Sequence, residues 1–101
     1  MTQGTTPTIT CRLQAEIDLT QAGNVYLTLR QGGRTVTKSG GDLTIEESSV
    51  GADLTQEDTL LFRHDAPVHI QLNWTYGDGT RGASEIVTVM LGRNLLPEVL
   101  P

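Results

Sequence analysis

The sequence is poor in cysteine, aromatic residues and positive charge, and each shortage excludes a class of protein. Its single cysteine, Cys11, rules out an internal disulfide, so the fold does not depend on one. Aromatic residues make up only 4% of the chain, so the core has to be built mainly from Val, Leu and Ile. Seven Lys and Arg against twelve Asp and Glu give a formal net charge of -5. This balance argues against a nucleic-acid backbone or an anionic membrane as partner.

The sequence also lacks a long apolar run and a secretory signal. Its apolar segments fall well short of the ~20 residues that a membrane-spanning helix needs. The first seven residues, MTQGTTP, have neither the charged nor the apolar region of a signal peptide. These features favour a soluble protein that is made and folded in the reducing cytoplasm of a bacterial host.

The 101 residues fit one domain and leave no room for a second. Residues 1–7 are polar apart from the initial Met and predict a flexible arm. Residues 8–91 carry the alternating pattern of a folded β domain, and residues 92–101 form an apolar tail. The chain is therefore expected to consist of an arm, a single sandwich domain and a tail.

The clearest strand lies at 68–76, where apolar and polar residues alternate without interruption. A period of two places Val68, Ile70, Leu72 and Trp74 on one face of a strand. These four side chains should point into the core of the domain. Similar but shorter alternations predict about six further strands, of which the last is expected at 83–91.

Glycine-rich segments between these strands predict tight turns, notably at 31–34 and 77–80. One helical turn is expected near 56–62, because Thr55 can cap the backbone and Asp58 can reach back to it. Short strands about ten residues apart, joined by such turns, are typical of a β-sandwich. The sequence thus predicts an all-β, antiparallel, immunoglobulin-like β-sandwich of about seven strands.

The residue types that carry chemistry do not occur in a functional pattern. His64 and His69 lack further ligands at the spacing of a zinc site. The acids at 46–47 would point to opposite faces of a strand, and those at 57–58 are explained by helix capping. Cys11 falls among core-facing residues and is expected to be inert. We therefore expect no catalytic, cofactor-binding or metal-binding residue, no small-molecule substrate and no enzyme activity.

The tail is the strongest candidate for a functional surface. Leu95, Leu96, Val99 and Leu100 make it unusually apolar for a free chain end. These four residues are predicted to form an interface. The sequence leaves open whether they cover the end of their own sandwich or contact a neighbouring subunit.

Four stretches of the chain form a recognisable pattern: NVYLTLRQGGR at 24–34, LTQEDTL at 54–60 followed by VHIQL at 68–72, and ASEI at 83–86. This pattern resembles that of short phage and prophage structural proteins of gut Firmicutes. The resemblance extends over most of residues 9–96. The arrangement is also similar to the N-terminal β-sandwich of phage baseplate upper proteins.

This resemblance implies a non-enzymatic structural protein of a bacteriophage particle, in the baseplate, tail or connector. Such a protein would act by packing against other virion proteins and against copies of itself, with no nucleic-acid or membrane partner. Its location would be the virion, assembled in the host cytoplasm. Two alternatives stay open: a capsid-decoration or head-associated protein, and a small cytoplasmic phage-encoded binding or inhibitor module.

Overall fold

A computed structural model describes residues 1–14 and 16–101. These residues form eight strands, one α-helix and two short 3₁₀ turns, at Leu19–Gln21 and Gly40–Asp42. The strands and the helix are β1 Thr8–Arg12, β2 Asn24–Gln31, β3 Arg34–Ser39, β4 Leu43–Ile45, β5 Ser49–Asp53, α1 Gln56–Leu61, β6 Val68–Thr75, β7 Arg81–Ala83 and β8 Val87–Val89.

The described strands are arranged in two antiparallel sheets. The smaller sheet has the order β1-β5-β4. The larger has the order β3-β2-β6-β7, and β8 also pairs with β6 beside β7. Their inward faces share one apolar core. The predicted class, an all-β antiparallel sandwich with a short helical turn, is confirmed.

Strand β6 is central to the larger sheet, with β2 on one side and both β7 and β8 on the other. Val68, Ile70, Leu72 and Trp74 are each at most 5% exposed. Their predicted inward orientation is confirmed. The partner strand β2 contributes alternating buried residues of the same kind, including Leu27, which is fully buried opposite Leu72.

The prediction of one continuous strand at 83–91 is wrong. Ala83 pairs with Asn73, but Val87 pairs with Ile70, so residues 84–86 lie opposite only two residues of β6. One extra residue against a partner strand is a β-bulge, and it separates β7 from β8. This interruption explains why the structure has one strand more than the alternation predicts.

The predicted helix start is confirmed in its details. Thr55 Oγ1 accepts a hydrogen bond from Asp58 N at 3.1 Å, and Asp58 Oδ2 accepts one from Thr55 N at 2.9 Å. Lys38 on β3 also pairs with Asp58, at 2.7 Å, which joins α1 to the larger sheet. Helix α1 has six residues, and the described part of the chain contains no helix long and apolar enough to cross a membrane.

Candidate interaction surface

The tail begins beside the arm. Gly92 N donates to Met1 O at 2.6 Å, and Gln3 N donates to Gly92 O at 3.0 Å, so both chain ends run together. Asn94 continues this contact, because its Nδ2 donates to Gln3 O at 2.8 Å. Residues 1–3 of the predicted flexible arm thus lie against the start of the tail.

The far end of the tail is held by Gln56, the first residue of α1. Gln56 Oε1 accepts a hydrogen bond from Leu100 N at 2.7 Å, and Gln56 Nε2 donates to Leu100 O at 3.0 Å. A side-chain amide carries an NH₂ donor group and a carbonyl acceptor, so it can pair with a peptide backbone whatever the side chain on that backbone. Both bonds therefore place the tail without using its aliphatic groups.

The four predicted interface residues lie along this segment and are exposed to different degrees. Leu95 is 90% exposed, Leu96 50%, Val99 53% and Leu100 49%. The tail is therefore tethered near its two ends, by the Gly92 and Leu100 backbones and by the Asn94 side chain. Each of its four aliphatic residues keeps about half or more of its surface exposed.

Exposed apolar side chains are concentrated in the last part of the chain. Among the described residues, ten large apolar side chains are exposed, and seven of them lie between 86 and 100. Single exposed apolar residues are normal on a protein surface, but a concentration of them in one segment is typical of an interaction site. The additional three beyond the tail are Ile86, Val87 and Met90.

A second apolar feature lies between the two sheets, where β1 faces β7 and β8. We call it the cleft, and its volume is about 520 Å³. Val87 stands opposite Ile70 on the inward face of the larger sheet, yet it is 59% exposed because β1 does not cover it. The apolar part of its lining includes Ile9, Leu13, Ile17, Trp74, Val87 and Val89, and polar residues such as Gln71 and Ser84 share the lining.

Sequence reasoning missed the cleft. The alternation of apolar and polar residues over 8–14 predicts that Ile9 and Leu13 face the core, but the structure leaves both only partly buried. The sequence feature nearest to the opening is Ser84 at the bulge. Ser84 acts through hydrogen bonds to β6, and the sequence does not show these bonds. Ser84 Oγ accepts from Leu72 N at 2.9 Å, and Ser84 N donates to Leu72 O at 2.9 Å.

The residues considered for chemistry are placed apart from one another. His64 and His69 are both exposed, and the described residues contain no group of three or more side chains able to hold a metal ion. Cys11 is half-buried in the wall of the cleft, where burial raises the pKa of its thiol. A raised pKa keeps a thiol protonated and weakens it as a nucleophile.

Comparison with known protein families, with curated proteins and with solved structures gives no match to this chain. The candidate surface therefore has to be interpreted from its own geometry. That geometry is a β-sandwich with an exposed aliphatic tail near α1 and an open apolar cleft along one side.

Proposed function

We propose that this protein is a non-enzymatic structural subunit of a bacteriophage particle, with a place in the baseplate, tail or connector. It works by packing against copies of itself and against other virion proteins. The observation that carries this proposal is the display of Leu95, Leu96, Val99 and Leu100 on a segment whose backbone is already held.

An aliphatic surface that stays in water forgoes the free energy of apolar burial. Apolar area that stays solvated forgoes about 25 cal/mol per Å² of stabilisation. A tail that is tethered by its backbone and still exposes four aliphatic side chains gains this stabilisation when a partner covers them. Protein–protein interfaces have such apolar centres surrounded by polar rims.

The particle context is supported by the resemblance to phage structural proteins. In the structure, the resembling stretch at 24–34 forms β2, the Gly-rich turn and the start of β3. The stretch at 54–60 covers the capped start of α1, and the stretch at 68–72 lies in the central strand β6. The similarity thus falls on elements that organise the whole sandwich.

Deletion of residues 95–101 tests the packing role. Light scattering should show association of the full chain and a monomer for the truncated one, with closely similar melting temperatures. Ile45→Thr is a matched control, because Ile45 is also an exposed aliphatic residue, at 37%, but lies on β4. A truncation that lowers the melting temperature and leaves association unchanged would show that the tail serves only its own domain.

Mass spectrometry of purified particles tests the virion role separately. A structural subunit should be present at a defined copy number relative to the major particle proteins. Expression early in infection together with absence from particles would contradict this role and favour the cytoplasmic inhibitor module.

A further inference from the structure

We propose that the cleft is the acceptor site for the tail of a second copy of this chain, so that copies join head to tail. The inference rests on the proposed packing function and names the surface that receives the tail. It depends on four features: the uncovered apolar wall, the composition of the tail, the charges on both surfaces and the direction of β1.

The cleft is apolar and unfilled on its β8 side. Val87 points toward the interior in its register with Ile70, but more than half of it is exposed. Across the opening, Leu13 and Ile17 are only partly buried. A volume of about 520 Å³ lies within the roughly 300–1,000 Å³ of pockets that bind apolar groups. The space is therefore suited to receive aliphatic side chains.

The tail has the matching chemistry and is already presented. Hydrogen bonds at Asn94 and Gln56 hold the segment that carries its aliphatic residues. Each of these four residues is about half exposed or more. Pro97 and Pro101 prevent it from forming a regular added strand. The contact is therefore an insertion of leucine and valine side chains into the cleft, with little backbone pairing along its walls.

The charges on the two surfaces are complementary. The cleft is lined at its rim by the exposed Arg12 and Glu85, and the tail carries the exposed Arg93 and Glu98. Each surface thus holds one charge of each sign, and a pairing of Glu98 with Arg12 and Arg93 with Glu85 brings opposite charges together. In a chain of net charge -5, such balanced surfaces avoid the repulsion that opposes self-association.

The tail of the same copy is held away from the far part of the cleft. Strand β1 begins beside α1, because Leu54 N donates to Pro7 O at 2.9 Å and Thr59 Oγ1 donates to Thr5 O at 2.8 Å. It runs away from the helix toward Leu13 and the open part of the cleft. Since Gln56 holds the tail at the helix, donor and acceptor are different surfaces, and the contact between copies is heterologous.

The first test places a charge in the cleft. Val87→Asp should weaken association by about tenfold or more, because a carboxylate would be buried without a partner. Thr88→Asp is the matched control: Thr88 is the next residue on β8, exposed on the outward face opposite His69. It should associate like the wild type. Association of Val87→Asp at wild-type strength would overturn the proposal.

The second test mixes two defective variants. The chain lacking residues 95–101 keeps its cleft, and Val87→Asp keeps its tail, so each should be monomeric alone. When the two variants are mixed, they should form a one-to-one complex and nothing larger. The tail of the Val87→Asp chain then occupies the cleft of the truncated chain, and no further tail or cleft is usable. A mixture that stays monomeric would overturn the proposal, and thermal melts of each variant confirm that both are folded.

A synthetic peptide of residues 92–101 gives a readout independent of assembly. Trp74 is the only tryptophan and lines the cleft, so peptide binding to the truncated chain should change its fluorescence. A peptide with serine at the four aliphatic positions should leave the emission unchanged, and an equal response to both peptides would overturn the proposal.

If truncation abolishes association but Val87→Asp does not, the packing function stands and the cleft is not the acceptor. If the full chain does not associate at all, both proposals fail.

Discussion

Gly82 on β7 lies directly opposite Trp74, and the indole ring occupies the space that a larger side chain would need. A Cβ atom at this position would overlap the indole ring of Trp74, far inside van der Waals contact. The ring is 4% exposed and packed in the core, so it has little freedom to retreat. The absence of a side chain at Gly82 therefore allows Trp74 to cover this end of the core.

Gly82→Ala should destabilise the protein by about 1–3 kcal/mol, the usual cost of overpacking a core. Because Trp74 is the only tryptophan, its emission should also shift to longer wavelength as the ring is pushed toward solvent. Gly33→Ala is the control, since a Cβ there meets nothing within 4 Å. Equal melting temperatures and spectra for the Gly82 variant and the wild type would contradict this account of the packing.

Gln31 has a different role, because it satisfies the backbone of the loop that follows α1. It is 6% exposed, its Oε1 accepts from Arg63 N at 2.7 Å, and its Nε2 donates to Arg63 O and Ala66 O, both at 2.9 Å. Alternation along β2 predicts an inward position here, but not a polar residue with three backbone partners in a distant loop.

Gln31→Leu should lower the free energy of unfolding by about 1–3 kcal/mol, because it leaves partly buried backbone groups without partners. Gln21→Leu is the comparison, since Gln21 is exposed and its replacement should change stability little. Chemical denaturation of both variants measures the difference. A Gln31 variant as stable as the wild type would mean that water replaces the lost bonds without cost.

At the scale of elements, α1 is tied to β3 by the pair between Asp58 and Lys38, each 16% exposed. Burial acts to raise the pKa of Asp58, but the hydrogen bonds from Lys38 and from the Thr55 backbone, with the charge of Lys38, lower it on balance. A lowered pKa means that the folded protein holds the proton more weakly than the unfolded chain. The pair therefore stabilises the fold above the unfolded pKa of aspartate, about 3.9.

We expect the free energy of unfolding to fall as the pH drops below about 4 and through the lower folded pKa of Asp58. Asp58→Asn should show a smaller loss over this window, since it has no carboxylate to protonate there. Glu57→Gln removes a charge from the same turn without touching Lys38, so it should retain the wild-type dependence. Denaturant melts at several pH values measure the three slopes, and parallel slopes for Asp58→Asn and wild type would contradict the assignment.

The elements differ in how far the sequence determines them. Strand β6 could be predicted because it is buried on one face along its whole length, and the capped start of α1 is a local motif. The break between β7 and β8 could not, because it depends on Ser84 pairing with the Leu72 backbone on another strand. Alternation reports which face of a strand is buried and does not report where its register shifts.

At the scale of the whole molecule, the tail could be predicted from the sequence and the cleft could not. The four aliphatic residues of the tail lie within six positions of one another, so the sequence alone identifies Leu95 and its neighbours as a candidate interface. The cleft is lined by residues from β1, β6, β7 and β8 and from the segments that follow β1 and β7, and only the fold brings them together. Its existence is therefore a property of three-dimensional packing.

The hydrogen bonds between the Gln56 side chain and the end of the tail lead to a final prediction. Gln56 contacts Leu100 through two exposed hydrogen bonds, so Gln56→Ala should lower stability by no more than about 1 kcal/mol. It should nevertheless weaken association severalfold, because a released tail must lose backbone freedom, about 1–2 kcal/mol per residue, when a partner orders it. Glu57→Ala, at the adjacent exposed position, should leave association unchanged. Light scattering over a concentration series measures both variants, and stronger association of Gln56→Ala would mean that the hold competes with the partner for the tail.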